Sequence, residues 1–183
     1  MKILYVHGYG GSANGESSQL LKKVLSEKFG NVEIEAPAIP LEEPEKAFNV
    51  IKERAKGKDL IIASSLGAFY AMQVPIICKI LINPALPENI EKNIDGVSKD
   101  FIKELKEIYK EFFDVYIDYE YMYESFFIVG EKDNIAPNKN FLLENFYKDR
   151  VFDADMGHKL DENGANKVAE VIEKIRRDKL FCL

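Results

Sequence analysis

Leu60-Ile61-Ile62-Ala63-Ser64-Ser65-Leu66-Gly67-Ala68-Phe69 is an apolar run that ends on two serines and resumes in small and apolar residues. The run reads as a buried strand, the serines as a sharp turn, and Leu66 as the start of a helix. This is the strand–turn–helix pattern of a nucleophile elbow, G-x-S-x-G, with Ala63 at the first glycine position and Ser65 at the apex. Small residues are needed two positions to either side of the serine because strand, helix and neighbouring strands crowd the turn. Such a turn holds the serine oxygen out over the sheet. It also aims the free backbone N–H groups of a helix start at the same spot. Alone the pattern is common, since a strand ending in serines can equally be a helix cap. Its weight comes from the rest of the chain.

Upstream of the elbow, Lys2 to Val6 is a short, continuously apolar strand. It runs into the glycine-rich loop His7-Gly8-Tyr9-Gly10-Gly11-Ser12. Glu16 to Phe29 reads as a helix with Leu20, Leu21, Val24 and Leu25 on one face and Gly30 past its end. Val32 to Glu35 is a second strand. Pro37 and Pro40 break the chain, and Glu45 to Lys56 is a helix closed by Gly57. Downstream, Pro75 stops the elbow helix, Cys78 to Ile82 is a fourth strand, and Asn83-Pro84-Ala85 turns away from it. Phe126 to Val129 is a fifth strand, followed by the loop Gly130 to Pro137 and a helix around Asn140 to Phe146. Arg150 to Asp153 is a sixth, and the loop Ala154 to Leu160 leads to a closing helix from about Asn163 to Arg177.

Strands alternating with helices predict an α/β fold: a three-layer α/β/α sandwich on a six-stranded, mostly parallel sheet, forming one domain over residues 1–183. In such sheets the ligand lies beyond the carboxyl ends of the strands, near a topological switch point. The loops after strands one, three, five and six are therefore expected to meet at one edge.

An apolar fraction of 46% is enough for a full core. The net charge of -6 argues against a general nucleic-acid surface. Two distant cysteines, Cys78 and Cys182, give neither a metal-binding spacing nor a disulfide framework, which fits a reducing, cytoplasmic setting. The apolar run Ile3 to Val6 is too short for a signal peptide, and no stretch approaches the ~20 apolar residues of a membrane span.

Four groups fall on the expected edge. Ser65 is the candidate nucleophile. The chain has two histidines. His7 precedes the serine, whereas His158, in Met156-Gly157-His158, follows the sixth strand, where a general base belongs. Asp133, in Gly130-Glu131-Lys132-Asp133-Asn134, follows the fifth strand and is placed to hold the histidine tautomer. Glu131 competes for that role, and Asp153 and Asp155 do so more weakly. The first loop brings backbone close to a ligand through its glycines, and the N–H of Tyr9 with that of Leu66 is expected to form an oxyanion hole. A phosphate-binding loop is excluded on specifics: no Gly-Lys-Ser/Thr follows, and the spacing is not G-x-G-x-x-G. The order Ser, Asp, His is that of the α/β hydrolases. No metal and no organic cofactor is called for.

The sequence resembles the α/β-hydrolase superfamily and, within it, the small bacterial YqiA-type esterases. Leu4-Tyr5-Val6-His7-Gly8-Tyr9 is similar to that family's opening strand and HGF-type loop. Ser64-Ser65-Leu66-Gly67-Ala68-Phe69-Tyr70-Ala71 is similar to its S-S-L-G-G-Y-Y-A elbow, Leu81-Ile82-Asn83-Pro84-Ala85 to its V-N-P-A turn, and Gly157-His158 to its glycine-histidine pair. The resemblance covers nearly the whole chain. It implies a serine esterase or thioesterase with a reduced α/β-hydrolase fold, Ser65 as nucleophile and His158 as base. Ala63 and Ala68 depart from the family's glycines. The carboxylates after Gly130 do not align cleanly, so the acid stays open between Asp133 and Glu131, the former fitting the wider superfamily better.

Residues 88–124 are the least regular part, with one helix expected over Lys99 to Asp114. Its apolar face carries Phe101, Leu105, Ile108, Tyr109 and Phe112, and an aromatic stretch follows: Phe113, Tyr116, Tyr119, Tyr121, Tyr123, Phe126 and Phe127. Insertions after this strand often cap the site in the superfamily, and that likeness implies a small helical lid with an aromatic wall for an acyl group. Packing of these aromatics on the sheet edge or on a partner subunit, as in a homo-oligomer, is the alternative. The reading as a whole is a serine esterase acting on small or medium acyl esters, thioesters included. A non-catalytic ligand- or partner-binding module on the same fold, and a peptidase or amidase, are the rivals.

Overall fold

The computed structural model describes residues 1–75, 77–112 and 125–178. Strands β1 (Lys2–Val6), β2 (Glu33–Glu35), β3 (Leu60–Ser64), β4 (Lys79–Ile82), β5 (Ser125–Gly130) and β6 (Val151–Ala154) form one sheet in the order β2-β1-β3-β4-β5-β6. Every pairing is parallel. The continuously apolar strands occupy the middle, where both faces are covered. The more polar β2 and β6 are the partly exposed edges.

Period-two alternation splits the core in two. Leu4 and Val6 of β1, Ile61 and Ala63 of β3, Leu81 of β4 and Phe127 of β5 face one layer. That layer holds α2 (Pro44–Ala55), α3 (Ser65–Met72), α4 (Pro87–Asn93), α5 (Lys99–Glu111) and α6 (Lys139–Asn145). Ile3, Tyr5, Leu60, Ile62, Ile80 and Phe126 face the other layer, made by α1 (Glu16–Phe29) and α7 (Glu162–Arg177). α7 buries Val168, Ala169, Val171, Ile172 and Ile175 along one stripe. Its start is capped by Asp161, whose Oδ1 accepts from Gly164 N at 3.0 Å. Lys174, Arg176 and Arg177 sit in its last turn, where the helix dipole favours positive charge.

The chain passes from β1 through α1 on one face to the edge strand β2. It then returns through α2 on the opposite face to β3, on the other side of β1. Strand order therefore reverses beside β1, and the loops after β1 and β3 leave toward opposite layers. This opens a crevice between them at the carboxyl edge.

The elements follow the sequence expectations within a residue or two, and the sheet is parallel throughout. Two elements among the described residues were not anticipated, a 3₁₀ turn over Lys148–Arg150 and the helix α4. α4 is a seven-residue helix, too short to show a helical period, with Pro87 at its start. The Asn89 side chain accepts from the Leu86 N–H at 2.9 Å. The helix expected over Lys99 to Asp114 is described to Glu111. It buries Phe101, Ile102 and Leu105 in the first half-core. Of the aromatic stretch, Phe126 and Phe127 are fully buried in β5 and belong to the sheet core, while Phe113, Tyr116, Tyr119, Tyr121 and Tyr123 lie outside the described residues, as does Cys182.

Candidate active site

Ser65 lies where β3 meets α3, and its φ is +53°. Ser64 before it is still extended. One left-handed residue thus turns the chain from strand into helix and leaves the side chain at the sheet's carboxyl edge. An L-residue in this region costs about 1–2 kcal/mol, a local strain held in place by packing. The packing is tight. A Cβ on Gly67 would lie 2.2 Å from the His7 carbonyl oxygen, and one on Gly8 would lie 2.8 Å from Ser65 Cβ. The glycine loop after β1 is pressed against the serine and the first turn of α3, and only glycine allows it. Ala63 and Ala68, the departures from the elbow pattern, are fully buried and fill space without crowding the turn.

His158 comes from the loop after β6. Its Nε2 lies 2.8 Å from Ser65 Oγ and its Nδ1 2.9 Å from Asp133 Oδ2. Asp133 lies in the loop after β5, and its side chain is 2% exposed. Its other oxygen accepts from the N–H groups of Ile135 at 2.8 Å and Ala136 at 3.0 Å. Burial pushes the Asp133 carboxyl up, but the hydrogen bonds from His158, Ala136 and Ile135 together outweigh it and hold the group below the usual aspartate value. In the tautomer that suits a base, His158 Nδ1–H donates to the ionised Asp133. Nε2 then carries the lone pair toward the serine hydroxyl.

The competing acids go elsewhere. Glu131 is exposed, Asp153 pairs with Lys139 at 2.6 Å and Asp155 pairs with Lys132. The structure brings Asp133, and none of these, to the histidine. His7 is near the site but turned into its own loop. Its Nδ1 meets the Gly8 carbonyl at 2.9 Å, and its Nε2 accepts from Ile39 N at 3.3 Å.

A cavity of 660 Å³ opens beside Ser65 and His158. Tyr9, Ile94, Ile135 and Leu160 give it apolar wall; Ser12, Ser17, Gln19 and the Tyr5 hydroxyl give it polar wall. Burial raises the Tyr5 phenol further than its bonds to Ser64 and Ser17 lower it, so it stays protonated and hydrogen-bonds Ser64 Oγ at 3.0 Å. Glu16 and Lys159, paired at 2.6 Å, form an exposed rim. Tyr9 lines the cavity, and Leu66 lies in the first turn of α3, where backbone N–H groups have no helical acceptor. Among the described residues no group of three or more His, Cys, Asp and Glu side chains is arranged to hold a metal ion. No helix among them is long and apolar enough to cross a membrane.

Asn83 is the residue of this site that the sequence reading quoted but gave no role. Its signal was the Asn-Pro-Ala turn at the end of β4. The structure joins that turn to the His158 loop through the Asn83 side chain.

Against known proteins, the sequence pattern of the uncharacterised protein family UPF0227 matches residues 2–163. Est1E from Butyrivibrio proteoclasticus superposes with a TM-score of 0.70 at 15% identity, covering 97% of this chain and 87% of that one. It has also been solved with ferulic acid bound. The esterase domain of a Rhodothermus marinus protein gives a TM-score of 0.63 at 16% identity, covering 96% and 86%. A monoacylglycerol lipase from Paleococcus ferrophilus gives 0.58 at 14%, covering 95% and 93%. These likenesses show an α/β-hydrolase fold.

Proposed function

The chain belongs to the uncharacterised protein family UPF0227, and on that premise we propose that it is a serine hydrolase cleaving small or medium acyl esters, thioesters included. Ser65 Oγ attacks the acyl carbonyl carbon while His158 Nε2 takes the hydroxyl proton. The carbonyl oxygen becomes an oxyanion held by the N–H groups of Tyr9 and Leu66. Each such donor is typically worth roughly 10²–10³ in rate. Collapse of this intermediate breaks the bond to the leaving alcohol or thiol, which receives the proton from His158, and leaves an acyl group on Ser65. Water then attacks the acyl carbon, gives a proton to His158, and releases the carboxylic acid as the proton returns to Ser65. Asp133 keeps its charge throughout, fixes the histidine tautomer and stabilises the imidazolium.

The observation that carries this reading is the unbroken line from Ser65 Oγ through both nitrogens of His158 to a buried Asp133, at 2.8 and 2.9 Å. The left-handed serine and the loop pressed against it support the same chemistry. A cavity with both apolar and polar wall suits an acyl chain on one side and a polar leaving group on the other.

The test is covalent labelling with a fluorophosphonate, read by intact mass and peptide mapping, beside turnover of p-nitrophenyl esters. A single adduct on Ser65, absent in Ser65→Ala together with a loss of turnover of roughly 10⁴-fold or more, is expected. A folded wild type that takes no label and cleaves no ester would instead point to a binding module on the same fold.

A further inference from the structure

We propose that Asn83 is a positioning residue that sets His158 against Ser65; this rests on the serine-hydrolase reading above. Asn83 is 1% exposed and follows the last residue of β4. Its Oδ1 accepts from Gly130 N at 2.7 Å, where β5 ends and the loop to Asp133 begins. Its Nδ2 donates to the carbonyl oxygens of Gly157 at 2.9 Å and His158 at 3.0 Å, which uses both amide hydrogens. Two residues on, Ala85 N donates to the Ser65 carbonyl at 3.1 Å. One turn therefore grips the backbone of the nucleophile, of the base, and of the strand end that launches the acid.

The grip leaves little slack. A Cβ on Gly130 would meet Gly157 O at 2.6 Å and Met156 O at 2.7 Å, so the loops after β5 and β6 are already in contact where Asn83 joins them. Without the amide, two carbonyls beside the histidine lose their donor and drift toward water. A displacement of about 1 Å at a catalytic group can cost on the order of 10²-fold in rate.

A simpler explanation must be separated from this one. Asn83 has φ +44°, and asparagine is among the residues that tolerate the left-handed region best. If backbone shape were its whole purpose, glycine would serve as well or better. Asn83→Gly keeps the backbone at ease and removes the amide. Asn83→Asp keeps the shape and the acceptor for Gly130 but removes both donors to the histidine loop.

The experiment compares wild type, Asn83→Gly and Asn83→Asp by thermal melt, ester kinetics, fluorophosphonate labelling rate and the low-field Nδ1–H proton resonance of His158. We expect both variants to melt cooperatively. Their kcat should fall about 10- to 100-fold with KM within about twofold, labelling slowing in step, and the resonance should shift or broaden. Should Asn83→Gly melt out early, Asn83→Asp carries the comparison. A folded Asn83→Gly with wild-type kcat and an unchanged resonance overturns the proposal and leaves only the backbone role. A wild type with neither label nor turnover overturns the hydrolase reading instead. The resonance, which needs no catalysis, then decides the Asn83 question alone.

Discussion

Ser65 concentrates the cost of this site in one backbone angle. At φ +53° any residue with a Cβ is strained, and the neighbouring contacts of Gly8 and Gly67 hold it there. The strain and the hydroxyl can be separated. Ser65→Ala and Ser65→Gly both lose the bond to His158, but only glycine relaxes the turn. Chemical denaturation should therefore find Ser65→Gly about 1 kcal/mol more stable than Ser65→Ala, with both inactive. Equal stabilities would mean that the turn carries no strain. At the same scale, two positions along the chain separate Glu131 from Asp133, yet only Asp133 lies where the N–H groups of Ile135 and Ala136 and the ring of His158 converge.

Among the elements, α3 has no solvent face. All eight of its residues are buried, and its stability comes from being walled in by β3, β4 and α2. It also anchors its surroundings. The Tyr70 hydroxyl donates to the Leu41 carbonyl at 2.9 Å, with both residues buried. From the other side, His7 Nε2 accepts from Ile39 N and Ala36 O accepts from Asn14 N. The irregular stretch between β2 and α2 is thus held by side chains and loops rather than by a ladder of its own. Burial raises the Tyr70 phenol far above its usual range, so it stays protonated and keeps the hydrogen it donates to Leu41. Tyr70→Phe leaves the Leu41 carbonyl unpaired in the core. It should cost about 1–3 kcal/mol in urea unfolding with turnover of the folded enzyme unchanged. A loss of kcat in that variant would tie the stretch to catalysis.

For the whole molecule, the sheet separates two half-cores with different duties. α3 starts at Ser65 and the first turn of α1 walls the cavity beside it, while α7 packs on the face of the sheet opposite α3. Ile172 is fully buried in α7 on that opposite face. Ile172→Ala should cost about 2–5 kcal/mol in global stability while kcat per folded molecule stays within about twofold. A coupled loss of kcat would show that the α1–α7 layer sets the geometry at Ser65.

The sequence by itself determined what is local. Apolar runs, breaks at glycine and proline and the spacing around Ser65 specify the strands, most of the helices and the strand-to-helix turn at Ser65. Alternation of strand and helix then makes the sheet parallel and sends the loops bearing Ser65, Asp133 and His158 to one edge. Tertiary structure alone decided what depends on distant partners. α4 is too short to announce itself and is fixed by Asn89, whose side chain also meets Asn138 at 2.6 Å. The carboxylate that meets His158 was decided by a turn whose direction depends on β5, β6 and the histidine loop together. The bonds of Asn83 span 47, 74 and 75 residues, and no periodicity or short motif encodes contacts of that range.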